Sequence, residues 1–546
     1  MAEIEFIDYS FKYPGEDKKA LDNINLAVEE GEFILICGPS GSGKSTLLQQ
    51  LKKEIAPEGI RSGRLLYNNK DIIDLDDFAQ ASDIGIVFQE PDAQIVTDKV
   101  INELAFSMEN LGYSLDTMGR RMGEIVQFFA MEDKLYEDIH NLSGGQKQIL
   151  NLASILLLQP KVLLLDEPTS QLDPISSRDF IQMIENLNKD YSISIILSEH
   201  RLDDVFPIAD KVIILDEGEI KYKGSPRDVA MEVYNKGDKV FFNYLPDISK
   251  LYLKLDREKN HIPFTVREGK SWAKNMDLEE NNLDEINNEE KEVIIKAKNI
   301  SFRYERERPL VLNKLNLNVH KGEILSILGG NGSGKSTLLR VLAGGYKPQY
   351  GEVYFNGEKL FKIHQKERYK HIGYLDQNPI LYFLHESVKE EIYNRGEKIN
   401  AKERDMEYLI DLFELKEILN RHPYDISGGE KQKLALALVL LAKPKVLLLD
   451  EPTKGIDPIS KSKIGNLLLS LKEKGMTIIM ATHDVEFAAR FSDRSGLLFD
   501  GDIKALEEPR EFFSQNYFYT TTINRIMRDK LPKAILYEDV VFNEYI

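Results

Sequence analysis

Two octapeptides in this chain have the spacing GxxxxGK[ST]: Gly38-Pro39-Ser40-Gly41-Ser42-Gly43-Lys44-Ser45 and Gly329-Gly330-Asn331-Gly332-Ser333-Gly334-Lys335-Ser336. Thr46 and Thr337 follow them. Glycines let the backbone curl until several N–H groups point inward at an anion, and a following helix N-terminus adds partial positive charge. The lysine can then reach terminal phosphates, while the serine hydroxyl can ligate Mg²⁺. The chain is therefore expected to bind two nucleotides.

Two further pairs of carboxylates complete that chemistry. Val162-Leu163-Leu164-Leu165-Asp166-Glu167-Pro168 and Val446-Leu447-Leu448-Leu449-Asp450-Glu451-Pro452 are apolar runs ending in Asp-Glu. The first acid of each, Asp166 or Asp450, suits a phosphate-bound Mg²⁺. The second, Glu167 or Glu451, suits the orientation and polarisation of an attacking water. Ser143-Gly144-Gly145 and Ser427-Gly428-Gly429 precede helical runs. There serine caps the helix and glycine admits an anion to the backbone N–H groups.

The elements that must position these residues read as an α/β fold. Phe33–Cys37 and Ile324–Leu328 enter the glycine loops, and Thr46-Leu47-Leu48 and Thr337-Leu338-Leu339 open helices behind them. Ile84–Phe88, Val162–Leu165, Ile193–Leu197, Val446–Leu449 and Thr477–Met480 are near-continuous apolar runs, as a buried parallel sheet flanked by helices requires. The two halves repeat. Tyr13 and Tyr304, and Lys44 and Lys335, are each 291 apart, Asp166 and Asp450 are 284 apart, and His200 and His483 are 283 apart. A duplication with modules of about 240 residues explains the series. The expected organisation is a first module at 1–240, a linker at 241–292 and a second module with a C-terminal extension at 293–546.

Composition narrows the partners. The 546 residues are 42% hydrophobic and 29% charged, with net charge −19, which disfavours a nucleic-acid partner. One cysteine, Cys37, excludes an internal disulfide and a cysteine-cluster metal site. It reads as a buried small hydrophobe. Lone histidines such as His261 and His364 read as surface residues. No apolar run is long enough to cross a bilayer, and the N-terminus does not resemble a signal peptide. A cytoplasmic chain is expected. Met276 to Glu292 is acidic and Asn-rich, an exposed spacer. Phe241 to Ala273 carries aromatics and Trp272 and is expected to pack on the first module.

The order of these motifs resembles the ATP-binding-cassette family over nearly all of the chain except the linker and tail. Leu142-Ser143-Gly144-Gly145-Gln146 matches that family's signature, and Ile426-Ser427-Gly428-Gly429-Glu430 is a variant of it. Gln89 and Gln377 match its Q-loop, touching the metal site. Asp173 and Asp457 match its D-loop, and His200 and His483 its switch histidine. Tyr13 and Tyr304 fall where it stacks an aromatic ring on adenine. The resemblance implies two ABC-type modules, each a mostly parallel core with a helical subdomain and an antiparallel β part. It also implies head-to-tail pairing of the modules, with Mg·ATP between one phosphate loop and the opposite Ser-Gly-Gly. Lys44, Gln89, Asp166, Glu167 and His200 would then work with Ser427, Gly428 and Gly429. Lys335, Gln377, Asp450, Glu451 and His483 would work with Ser143, Gly144 and Gly145.

Gln89-Glu90-Pro91-Asp92 and the stretch Glu103 to Gly112 resemble the ATPases of energy-coupling-factor importers. That likeness implies a transmembrane T component, a substrate-binding S component, import of a vitamin or metal ion, and a peripheral place on the cytoplasmic face of the membrane. Fused two-module members suggest thiamine or its hydroxymethylpyrimidine precursor. Gln377-Asn378-Pro379-Ile380 departs from the pattern. The alternative is a soluble tandem ATPase acting on the ribosome or in DNA repair. The acidic linker, the single cysteine and the text Asp166-Glu167-Pro168-Thr169-Ser170-Gln171-Leu172-Asp173 speak against it.

Overall fold

The computed structural model describes residues 2–256, 261–280 and 292–542. Contacts divide the chain into two units, Met1–Ser249 and Lys250–Ile546.

In the first unit the six-stranded sheet has the order Glu219–Gly224, Lys211–Asp216, Phe33–Cys37, Ser194–Ser198, Val162–Asp166, Ile84–Val87. Only Glu219–Gly224 pairs antiparallel. The second unit repeats the order as Asp502–Glu507, Arg494–Phe499, Ile324–Leu328, Thr477–Ala481, Val446–Asp450, Ile372–Leu375. Phe33–Cys37, Val162–Asp166 and Ser194–Ser198 are buried at every position, as are their counterparts Ile324–Leu328, Val446–Asp450 and Thr477–Ala481. Apolar character without alternation is what two covered faces demand. The expected α/β architecture is present in both halves.

A four-stranded antiparallel sheet accompanies each core: Leu21–Glu29, Ala2–Lys12, Ile60–Tyr67, Lys70–Asp71 in the first unit and Leu312–His320, Val293–Phe302, Tyr350–Phe355, Glu358–Lys359 in the second. Leu21, Ile24, Leu26 and Val28 are buried and join Ile34, Ile36, Leu47 and Leu48 in one core. Helices Val100–Asn110, Leu115–Phe128 and Gly144–Leu156 share a separate core of Leu104, Met108, Val126 and Leu150.

Register decides where the chemistry falls. Ile36 lies opposite Ser198, and Ser198 opposite Asp166. In the second unit Ile327 and Asp450 both face Ala481. The glycine loop, the Asp-Glu pair and the histidine turn therefore leave the sheet level with one another, at the carboxyl edge where open α/β sheets bind ligands.

The structure corrects one expectation and extends another. The stretch 241–273 is divided between the two units and does not fall to the first alone. Phe241 stacks edge-on against Tyr222, and the Asp247 N–H donates to Asp203 at 3.1 Å. Beyond Ser249 the chain belongs to the second unit. Helix Val266–Lys274 packs on Thr522–Met527, and Leu278–Glu280 pairs antiparallel with Val540–Phe542. Aromatic content shows that a segment wants burial, but it does not say against what. The repeat also runs further than the motifs indicate. The Thr522 N–H donates to Glu486 at 3.2 Å, three residues past His483, just as Asp203 stands three past His200. The helices Asp247–Leu255 and Thr522–Met527 begin 275 residues apart, continuing the shrinking series of offsets. Residues 281–291, most of the acidic spacer, lie outside the described residues, as does 543–546 of the tail.

Candidate functional site

The first cluster is assembled from four strand ends. Gly38, Gly41 and Gly43 have φ of 147°, 80° and 102°, values that side chains avoid. A Cβ on Gly38 would meet the Leu215 carbonyl oxygen at 2.0 Å, so this turn admits no other residue. Helix Lys44–Gln50 follows directly. The Lys44 ammonium donates back to the carbonyls of Gly38 and Pro39 at 2.9 and 3.0 Å. Lysine and loop thus close around a small space. In the second cluster the Lys335 ammonium meets Gly329 and Gly330 carbonyls at 2.8 and 3.2 Å.

The buried acids sit where the sequence places them. Asp166 is 8% exposed and Asp450 1%. Burial, with the charge of Glu167 beside it, pushes the Asp166 carboxyl up to about 6. Burial does the same to Asp450, to about 6, against the opposing hydrogen bond from Ser336 and with the charge of Glu451 adding to it. Asp166 Oδ1, Asp450 Oδ1, Ser42 Oγ and Ser333 Oγ are buried without a hydrogen-bond partner. Two such acids, each beside a serine hydroxyl, fit a hard divalent cation and its anionic ligand. Among the described residues, no group of three or more His, Cys, Asp or Glu is placed to hold a metal, so any cation here would rest on one acid, a serine hydroxyl and the nucleotide's own phosphates.

Glu167 and Glu451 take left-handed backbone conformations, φ 45° and 51°, uncommon for a non-glycine residue and worth explaining. Their N–H groups complete the neighbouring strand, donating to Ser198 and Ala481 carbonyls. That turns each carboxylate toward the histidine. His200 Nε2 lies 2.7 Å from Glu167, and Gln89 donates to the same carboxylate at 2.7 Å. His483 Nδ1 lies 2.8 Å from Glu451, and the His483 N–H donates to it at 3.2 Å. Burial would raise the Glu451 carboxyl, but His483 and then Lys335, 3.8 Å away, outweigh it and hold it below its ordinary value.

Each unit thus brings together its own lysine, aspartate, glutamate and histidine. Gln89 joins them, but Gln377 is exposed and makes no such bond. The Tyr13 and Tyr304 hydroxyls reach Thr46 and Thr337 at 3.0 and 2.9 Å, at the loop's helix. Asp173 and Asp457 cap helices Pro174–Tyr191 and Pro458–Glu473. Ser143 and Ser427 form capping boxes with Gln146 and Glu430, satisfying helix N–H groups reciprocally. A Cβ on Gly145 would lie 3.1 Å from Leu172, and one on Gly428 3.8 Å from the Gly455 carbonyl. These caps therefore rest on the Asp-bearing turn of their own unit. His261 and His364 are exposed, and Cys37 is fully buried.

Several polar residues that the motifs do not include stand near the clusters. Buried Glu199 precedes His200. Tyr374 lies 3.3 Å from Asp450 and 3.2 Å from Asp376, which pairs with Arg340 at 2.8 Å. The first unit has Ile86 and Phe88 instead of Tyr374 and Asp376. After Gln89, Lys147 pairs with Asp92 at 2.5 Å and Asn151 donates to the Pro91 carbonyl, tying the signature helix to the Gln-Glu-Pro-Asp turn. A polar residue inside an apolar strand end was the available signal for Glu199 and Tyr374.

The chain matches the ABC transporter family over residues 21–170 and 312–454, once in each unit, and belongs to it. It is an ATP-binding protein and an ATPase. A Bacillus anthracis protein provisionally named as an ABC transporter ATP-binding protein is 45% identical over 99% of this chain and 98% of its own length. A Bacillus subtilis protein provisionally named HMP/thiamine import ATP-binding protein YkoD is 31% identical, over 98% of this chain and 96% of that one. An archaeal ribosome recycling factor, solved with the ribosomal stalk protein aP1, aligns with TM-score 0.59 at 20% identity. It covers 93% of this chain and 91% of that one, a likeness of fold alone.

Proposed function

We propose that this protein is the ATP-hydrolysing subunit of an importer, working with separate transmembrane partners on the cytoplasmic face of a membrane. The observation that carries the reading is that both units assemble a complete Lys, Ser, Asp, Glu and His cluster at the carboxyl edge of the sheet. Two working sites are thus proposed, not one working and one degraded.

In each site the lysine ammonium, now bonded to its own loop's carbonyls, turns to the β- and γ-phosphate oxygens of ATP. Ser45 with Asp166, and Ser336 with Asp450, would hold Mg²⁺, with Gln89 and Gln377 turned toward it. When bound, Mg²⁺ withdraws charge from the phosphate oxygens and aligns them. Glu167 and Glu451 orient a water and take its proton as its oxygen bonds to the γ-phosphorus and the bond to the β-phosphate oxygen breaks. His200 and His483 hold that carboxylate and then the γ-phosphate. Tyr13 and Tyr304 stack on adenine. The Ser143–Gly145 and Ser427–Gly429 caps serve the opposite module's nucleotide, so that binding closes the modules and hydrolysis releases them.

The finer reading is an energy-coupling-factor type of importer for a vitamin or metal ion, with a T and an S component. Two features support it: the Gln89-Glu90-Pro91-Asp92 turn, held by Lys147 and Asn151, and the near full-length relative named for HMP/thiamine import. Among the described residues no helix is long and apolar enough to cross a membrane. Affinity purification of the chain from detergent-solubilised membranes tests the proposal. Integral membrane partners that raise its ATPase rate support it, whereas recovery with ribosomes at moderate salt and no membrane partner refutes it.

A further inference from the structure

Glu199 is 2% exposed, and the mechanism above does not use it. One carboxylate oxygen accepts the N–H of Thr169 at 3.2 Å and the Thr169 hydroxyl. The other accepts the N–H groups of His200 at 2.6 Å and Arg201 at 3.1 Å. Burying a carboxylate is costly unless it is fully hydrogen-bonded, and here four donors converge on one side chain. Two turns are fastened by it: the one leaving Glu167 and the one carrying His200. Between those turns lies the 2.7 Å contact of Glu167 with His200.

The second site is built otherwise. Thr482 occupies the place of Glu199 and is too short to span the turns. Its hydroxyl accepts the Asp484 N–H at 3.0 Å. The His483 N–H goes to the Glu451 carboxylate itself at 3.2 Å, whereas the His200 N–H is committed to Glu199. We infer that Glu199 is a positioning residue peculiar to the first ATP site. It takes up the main-chain N–H of the histidine turn, so that Glu167 meets that turn through the imidazole. The inference rests on the reading of Glu167 and His200 as the hydrolytic pair. The two sites thereby differ in how their water-activating carboxylate is held, and they hydrolyse ATP at different rates.

The test compares Glu199→Thr, which copies the second site, with Glu199→Gln, which keeps the shape and one acceptor oxygen. Both are placed in a full-length chain whose second site is blocked by Glu451→Gln. Hydrolysis of labelled ATP is followed at saturating and limiting nucleotide, and ATP binding is measured separately. The expected result for Glu199→Thr is a kcat lower by about tenfold with KM and ATP affinity within about twofold, the effect of a misplaced catalytic group. Glu199→Gln should recover part of the loss. Where blocking one site stops both, the comparison is made in the otherwise native chain. There Glu199→Thr must lower kcat, with KM unchanged. A purely structural role would lower the folded fraction and scale the rate per bound ATP by nothing. Unchanged kcat per bound ATP, or a change confined to KM, overturns the inference. If Glu199→Thr does not fold, Glu199→Gln decides alone, and a wild-type kcat with Gln overturns the inference. Failure of Glu167→Gln to slow the first site refutes the hydrolytic pair instead, which separates the two readings.

Discussion

Replacing Asp450 by Asn should stabilise the nucleotide-free second unit, because the native carboxylate is a charge held out of water with one oxygen unpartnered. Burial first, opposed by Ser336 and reinforced by the neighbouring Glu451, lifts its pKa from 3.8 to about 6. Between those values the folded chain binds more protons than the unfolded one. Stability therefore falls as pH rises through that window, and the full cost is present above it. At about 1.36 kcal/mol per pH unit the gap amounts to about 3 kcal/mol. Asparagine keeps the shape and cannot ionise. Urea unfolding in EDTA without nucleotide, followed by fluorescence of Trp272, reads this unit. Trp272 is the chain's single tryptophan, and its indole N–H donates to Asp256 at 3.0 Å within the second unit. Asp450→Asn should gain about 3 kcal/mol at pH 7.5 but only about 1 kcal/mol at pH 4.5. A gain of the same size at both pH values, or none at pH 7.5, would refute the burial argument.

Glu167→Gln and Glu451→Gln should each leave ATP binding intact and slow turnover at their own site by about tenfold or more. Equilibrium nucleotide binding and phosphate release check this. Burial pushes the Cys37 thiol up to about 12, so a thiol reagent at pH 8 should label the native chain no faster than it unfolds, and label one thiol in denaturant. Gly38→Ala places a methyl 2.0 Å from a main-chain oxygen at φ 147°. It should weaken ATP binding by about tenfold or more, measured by titration with a fluorescent nucleotide. Phe512 is fully buried beside Ala488 and Leu328. Phe512→Ala should cost about 3–5 kcal/mol in the unfolding transition that Trp272 reports.

Much of this arrangement is written in local spacing. The glycine loops, the Asp-Glu strand ends and the serine caps have sequence signatures because each requires a particular backbone turn or helix end. Unbroken apolar runs announced the strands of the sheet. What the spacing does not carry is the choice of partner across the fold. Phe241 and Trp272 both signal burial, yet one packs in the first unit and the other in the second. Gln89 and Gln377 occupy matching positions, but only Gln89 meets its glutamate. Glu199 is one letter beside a histidine until Thr169 is seen to fold onto it. The tail from about Tyr517 gave no functional reading because its likeness to Asp247–Leu255 lies in one hydrogen bond and a helix, not in shared letters.

The short ladder between Leu278–Glu280 and Val540–Phe542 bears on the order in which the two halves can finish folding during synthesis. The earlier strand emerges from the ribosome about 260 residues ahead of its mate, and domains generally fold as units while the chain is still being made. The Met1–Ser249 half has every strand of its sheets in hand long before Val540–Phe542 is made. The later half must wait for Val540–Phe542 to be made before this ladder can close. A stop placed just before Val540 would therefore leave Leu278–Glu280 without its partner strand, although both glycine loops and both Asp-Glu strand ends had been translated.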